Sequence, residues 1–171
     1  QRCALPIGHQ SRPPAAVRDV SGVARFSRVG EALGAWANSQ PAGSKDDLSL
    51  VSLSGSLISH AAAKDWFVSL DSFKPDFRAT TPNLQSLSIA LDTVNAPSLQ
   101  PGMKRPILFI TPHMDDPNID NSIAPLIQRA IDTKVRVFVW FVDGETQFNS
   151  PSANAFRMLA QQTNGAFFAF S

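Results

Sequence analysis

The sequence predicts an α/β fold: a doubly wound sandwich with a mostly parallel central sheet of about six strands, one antiparallel hairpin strand, and helices on both faces. Three observations predict it. Ile107 to Ile110 and Val135 to Val142 (Val-Arg-Val-Phe-Val-Trp-Phe-Val) are short apolar runs, the pattern of strands buried on both faces of a parallel sheet. Helix-period segments alternate with them through the second half, giving βαβαβ and right-handed crossovers. Finally, 171 residues with 43% hydrophobic and 17% charged side chains suit one domain with a sizeable core and argue against global disorder.

Residues 1–18 read as an irregular segment. Pro6, Gly8, Pro13 and Pro14 interrupt it, and Pro6 weakens a short strand at Cys3-Ala4-Leu5. From Gly22 to Ser39 the pattern is helical: Val23, Phe26, Val29, Leu33 and Trp36 recur at three and four, with Ser21 as N-cap. Pro41 to Ser44 ends that helix. Leu48, Leu50, Val51 and Leu53 suit a buried strand, and Leu57 to His60 pairs back on it as a hairpin. Ala61 to Phe73 places Trp66, Phe67, Leu70 and Phe73 on one helical face. Thr81-Pro82 caps and opens a helix that runs through Leu84, Leu87, Leu91 and Val94 and stops before Pro97.

The run at Ile107 to Ile110 ends in Thr111-Pro112-His113-Met114-Asp115-Asp116, a polar loop at a strand's carboxyl end, where open α/β sheets hold their ligand crevice. Ile119 to Asp132 is amphipathic, with Pro125 as a blemish. The loop 143–150 opens with Asp143-Gly144, a common turn pair, beside Glu145. Ser152 to Thr163 is helical, Asn164-Gly165 ends it, and Ala166 to Phe170 is the last strand.

Several classes are excluded or disfavoured. A net charge of +1 without a basic block argues against a nucleic-acid surface. The single cysteine, Cys3, rules out internal disulfides and cysteine-based zinc sites. No apolar run approaches the ~18 residues needed to span a bilayer. With neither a secretory signal nor an initiator methionine, the chain reads as a segment or processed form whose localisation signal lies elsewhere; extracytoplasmic or membrane-anchored placement through a flanking segment is expected. No Gly-rich phosphate loop follows a strand and no Gly-x-Ser-x-Gly elbow exists.

The order of elements from Asp19 onward resembles a Rossmann-like von Willebrand factor type A domain. The resemblance rests on an amphipathic helix, a strand–hairpin pair at 48–60, Thr80-Thr81-Pro82 before a helix, a strand ending in Thr111, and the closing Leu-Ala-Gln-Gln-Thr-Asn-Gly-Ala-Phe-Phe of residues 159–168. It implies one domain over residues 1–171 that binds another protein, or another domain of the same chain. In that family Mg²⁺ or a related ion such as Mn²⁺ sits at a metal-ion-dependent adhesion site. A hard cation there takes oxygen ligands from three loops. Carried over, the candidates here are Asp19 and Ser21, Thr81, and Asp115. Val23 replaces the third residue of the family's Asp-x-Ser-x-Ser. Pro112 stands where the family has the aspartate of Thr-Asp-Gly, and proline offers no side-chain oxygen. The expectation is therefore a degenerate site without a tightly bound metal. The first strand is left open among residues 3–7, residues 13–18 and a segment outside the chain.

Pro112-His113-Met114-Asp115-Asp116 also resembles the Pro-His-Pro-Asp-Asp motif of zinc-dependent N-acetylglucosaminyl deacetylases. That likeness implies His113 and Asp116 as zinc ligands and Asp115 as base, with bound water activated near a pKa of ~7. Pro117 replaces the expected glutamate and no histidine follows His113. The bland alternative is a polar loop in which Asp115, Asp116 or Asn118 caps the next helix. The sequence-based expectation is a non-enzymatic interaction module, bacterial in origin, with no cofactor and no membrane insertion. Its partner-binding rim is formed by His113, Met114, Asp116 and Phe148, the methionine and phenylalanine partly exposed. The runner-up is the zinc hydrolase.

Overall fold

In a computed structural model, residues 2–7, 16–41, 43, 46–52, 55–73, 81–95 and 104–171 are described, with side chains from Arg25 onward. The chain runs β1 (Arg2–Ile7), α1 (Ala16–Asn38), β2 (Asp47–Ser52), β3 (Gly55–Ala61), α2 (Ala63–Ser72), α3 (Gln85–Val94), β4 (Pro106–Thr111), α4 (Ile119–Asp132), β5 (Arg136–Val142), α5 (Pro151–Gln162) and β6 (Phe167–Phe170). A short 3₁₀ turn, Glu145–Gln147, interrupts the loop between β5 and α5. The strands lie in the order β3-β2-β1-β4-β5-β6. All neighbours are parallel except β2 and β3, which form the antiparallel hairpin.

The first strand is therefore residues 2–7, at the centre of the order. Pro6 does not prevent it. β1 keeps register with β2 from Arg2–Asp47 to Ile7–Ser52, while toward β4 it pairs at Ala4–Ile107 and Ile7–Ile110 and skips Leu5 and Pro6 between them. A missing N–H is tolerated where the ladder on the other side holds the strand.

The helix read as starting at Gly22 begins at Ala16. Ala16, Val20 and Val23 extend the three-to-four spacing upstream of Phe26, and alanine and arginine favour helix. Ser21 is accordingly inside α1 and is not its N-cap, and Asp19 lies in the same helix. The third helix also differs from expectation. It starts at Gln85, and the side chain of Asn83, not Thr81, accepts from the Gln85 N–H (2.8 Å). The N-cap position itself is Leu84, which offers no side-chain bond. The expected turn residue Ser54, and the links at 74–80 and 98–103, lie outside the described residues.

The strands alternate their side chains between two cores. On one face Ile107, Phe109, Val137, Val139 and Phe141 meet Leu87 and Leu91 of α3, Ile123 and Ile127 of α4, and Phe156 and Leu159 of α5. Phe156 stands edge-on to Phe109 at 5.4 Å and tilted against Phe141 at 6.2 Å. On the other face Phe26, Val29 and Leu33 of α1 and Trp66 of α2 pack on Leu48, Leu50, Ile110 and Val142. Trp66 is fully buried, and its indole N–H donates to the Ser49 carbonyl (3.1 Å). That bond satisfies a polar group that burial would otherwise penalise.

The hairpin pairing shifts register between Leu48 and Val51. His60 on the facing strand takes a φ of 56°. Its backbone N–H donates to Ser49 Oγ (3.0 Å), and its Nδ1 lies 3.2 Å from both carboxylate oxygens of Asp47. These bonds hold a left-handed conformation that a non-glycine residue seldom adopts unaided.

Candidate functional site

The parallel register aligns Thr111, the last residue of β4, with Phe141 of β5. Two residues further along each strand come His113 and Asp143, and the register brings them together across the sheet end. The His113 backbone N–H donates to Asp143 Oδ2 (2.8 Å), and its Nδ1 lies 2.5 Å from the same oxygen. The Gly144 N–H donates to Asp143 Oδ1 (2.7 Å). Burial pushes the Asp143 carboxyl up. The bonds from the His113 ring and backbone, its charge, and the Gly144 N–H together outweigh burial and hold it below the ordinary carboxylate value. The opposite ring nitrogen, Nε2, lies 3.7 Å from Oδ1 of Asp115, whose side chain is 83% exposed.

The rest of the loop is fastened down. The Met114 N–H donates to the buried Ser152 Oγ (3.0 Å) at the start of α5. Met114, expected to be partly exposed, is instead buried in the core with 6% exposure, because this bond turns its side chain inward. Asp116 accepts from the Asn118 N–H (2.8 Å) and the Ser122 hydroxyl (3.3 Å), so its carboxylate serves the first turn of α4. Favourable placement at a helix N-terminus accounts for it. Phe148 is half-buried against Phe141, with ring centroids 6.2 Å apart. Its carbonyl accepts from Arg157 Nη2 (2.5 Å).

Thus His113 and Asp115 meet at the rim, Met114 and Phe148 turn toward the core, and Asp116 is bonded to Asn118 and Ser122 at the start of α4. Thr81 is exposed before α3. Thr111 Oγ1 donates to the Pro112 carbonyl (2.9 Å) and is fully buried. Among the described residues, the donor set does not fit the adhesion-site metal: Pro112 supplies no side-chain oxygen. No group of three or more His, Cys, Asp or Glu side chains is placed to hold an ion. The zinc hydrolase is not favoured: Asp116 is engaged with α4, and among the described residues no third ligand joins His113. Asp143, read from the sequence as a turn residue, is the partner that was missed. Its signal was positional: one residue past the end of β5, it stands at the same register as His113, two past the end of β4.

No protein-family model matches the chain, and no curated protein sequence matches it. Solved structures do. An aerotolerance-related membrane protein from Bacteroides fragilis superposes with a TM-score of 0.65 at 12% identity, over 99% of this chain and 90% of that one. The TFIIH p34 N-terminal domain gives 0.63 at 13% identity, over 99% and 91%. Proximal thread matrix protein 1 of the mussel byssus, solved with a zinc-occupied MIDAS motif, gives 0.66 at 7% identity, over 99% of this chain and 41% of that one. At such identities the likeness speaks to architecture, and the architecture is that of a von Willebrand factor type A domain. Among the described residues, no helix is long and apolar enough to cross a membrane.

Proposed function

We propose that residues 1–171 form a single von Willebrand A-type domain, with a sheet of six strands, that acts as a protein–protein interaction module in adhesion or assembly. It binds another protein or another domain of its own chain, performs no catalysis, and works without a tightly bound metal. The observation that carries this reading is the end of the sheet: a loop held rigidly by His113–Asp143 and Met114–Ser152 that projects the carboxylate of Asp115 into solvent. Rigid loops on a scaffold are where binding residues concentrate, and a pre-formed rim lowers the ordering cost of association. The metal-free part rests on Pro112 and on the placement of Asp19 and Ser21 inside α1. A bacterial, extracytoplasmic or membrane-anchored setting is supported by the likeness to the Bacteroides membrane protein.

The test is site-specific photocrosslinking in cells, with the reactive group at Asp115 or at Lys134 on the opposite end of the sheet. A discrete protein adduct from position 115 and none from 134 supports the rim; equal or absent adducts from both overturn it. Thermal unfolding with Mg²⁺, Mn²⁺ and Zn²⁺ tests the metal. A stabilisation by Mg²⁺ that Asp19→Ala removes would restore the adhesion site, and a Zn²⁺ effect removed by His113→Ala would restore the hydrolase.

A further inference from the structure

Phe26 and Val29 of α1 share a core with Ile110 and Val142, near the carboxyl ends of β4 and β5. Arg25, beside them on the helix, is half-buried and reaches the turn that follows β5. A Cβ added to Gly144 would stand 3.8 Å from Arg25 Nη2 and 3.9 Å from Thr146 Oγ1. Beyond the residues adjoining Gly144, no other described atom comes within 4 Å of that point. Two donors of different kinds therefore flank one small space.

Neither donor is spent. Among the described residues, no hydrogen bond or ion pair engages the Arg25 guanidinium or the Thr146 hydroxyl. The nearest buried carboxylate does not serve them: Asp143 gives Oδ2 to His113 and Oδ1 to the Gly144 N–H. Glu145 is exposed and forms no ion pair with Arg25 among the described residues. Arginines taken out of water are ordinarily paired, so a half-buried one beside an unused hydroxyl points to an anion from outside. Gly144 points the same way. Its φ is −64°, which any residue adopts, and a Cβ at 3.8 Å from its nearest neighbour would make an ordinary contact. Neither backbone conformation nor packing calls for glycine there; what the missing side chain provides is room between the two donors.

We propose that Arg25, Thr146 and the space over Gly144 seat a single carboxylate, an aspartate or glutamate side chain of the partner protein. This rests on the reading of the sheet end as an interaction rim and names the chemistry that the rim takes. The planar guanidinium fork matches a carboxylate. Glu145, next in the chain, opposes a doubly charged anion such as phosphate. Because Asp115 is exposed on the adjacent loop, the partner surface that fits carries a carboxylate beside a basic group.

Two synthetic peptides, alike except for glutamate in one and glutamine in the other, are titrated into the full chain. NMR follows the Arg25 Nε–H signal and the Gly144 and Thr146 amides. Saturable shifts are expected with the glutamate peptide, and binding at least ~10-fold weaker with its glutamine counterpart, about 1.4 kcal/mol. Arg25→Gln abolishes the shifts, and Arg25→Lys keeps part of them, because the charge remains without the fork. Thr146→Val weakens binding about 3-fold or more through the lost hydrogen bond, and Gly144→Ala weakens it by filling the seat. Circular dichroism establishes that each variant is folded. Equal binding of the two peptides, shifts that survive Arg25→Gln, or no saturable shift at these signals overturns the proposal. Inorganic phosphate binding more tightly than the glutamate peptide at the same signals overturns it too, by assigning the seat to a free anion. The rim is judged separately, by photocrosslinking from position 115 in the Arg25→Gln protein. Loss of the parent's adduct supports the seat, and a retained adduct overturns the seat while the rim stands. An adduct missing from the parent as well removes the rim, and this proposal with it.

Discussion

Asp143 concentrates the chemistry of the sheet end in one buried carboxylate. It accepts from the His113 backbone, the His113 ring and the Gly144 backbone, bonds of the charge-assisted kind. Replacing it with Ala leaves three donors without their partner. The expected cost is ~2 kcal/mol, read as a lower urea midpoint at unchanged m-value. Because the folded carboxyl is held below its ordinary value, its contribution is complete above the unfolded pKa of ~3.9 and is lost as the pH falls through the lower folded value. Asp143→Asn should therefore flatten the acid dependence of stability below about pH 4, measured by urea titrations across that range. A slope equal to the parent's would remove this account. Residues such as His113 and Asp116 are legible in the sequence as polar loop members, but their partners are not. His113 meets Asp143 through strand register and Met114 turns inward through Ser152, and neither contact has a local pattern.

Among the elements, legibility follows the strength of the local signal. From β4 onward every helix and strand falls within a residue or two of its reading, because apolar runs and helical spacing there are unbroken. Upstream, Pro6 concealed a strand whose backbone is held mainly from one side, and Ser21-Gly22, read as a helix start, concealed the first turns of α1. The α5–β6 corner separates two roles that the sequence merges in Asn164-Gly165. Asn164 takes the left-handed conformation at φ 58°, while Gly165 is needed for space: a Cβ there would stand 1.8 Å from the Val137 carbonyl oxygen. Gly165→Ala should accordingly destabilise by at least ~3 kcal/mol by forcing β5 and α5 apart. Asn164→Gly should be close to neutral, and melting temperatures of the two variants check the contrast. At the other end of α5, Ser150 accepts from the Ala153 N–H (3.2 Å), and Ser150→Ala should cost ~1 kcal/mol in the same assay.

At the scale of the molecule, β1 is hydrogen-bonded to both β2 and β4, segments far away in sequence. Such non-local pairing makes folding slow, because loop closure precedes the contacts that reward it. Deletion of residues 1–7 should abolish cooperative unfolding, since it opens a slot between two strands and exposes their ladder edges; near-ultraviolet circular dichroism through a urea titration reports it. The α/β class was legible because the alternation of apolar strands and amphipathic helices is global and redundant, surviving the loss of any one signal.

The central place of β1 and the marginal place of β6 also matter when the protein is under tension. The two strands are parallel, so a pull applied at Arg2 and Phe170 drags them along their lengths in opposite senses. β1 resists with neighbours on both sides, whereas β6 has four residues and one neighbour. Force would strip β6 from the sheet first, and with it the bond from the Asp143 N–H to the Phe170 carbonyl (3.0 Å). A domain stretched between two attachments would thus yield at its last strand, the one held by a single neighbour, and the loss would reach the rim through Asp143.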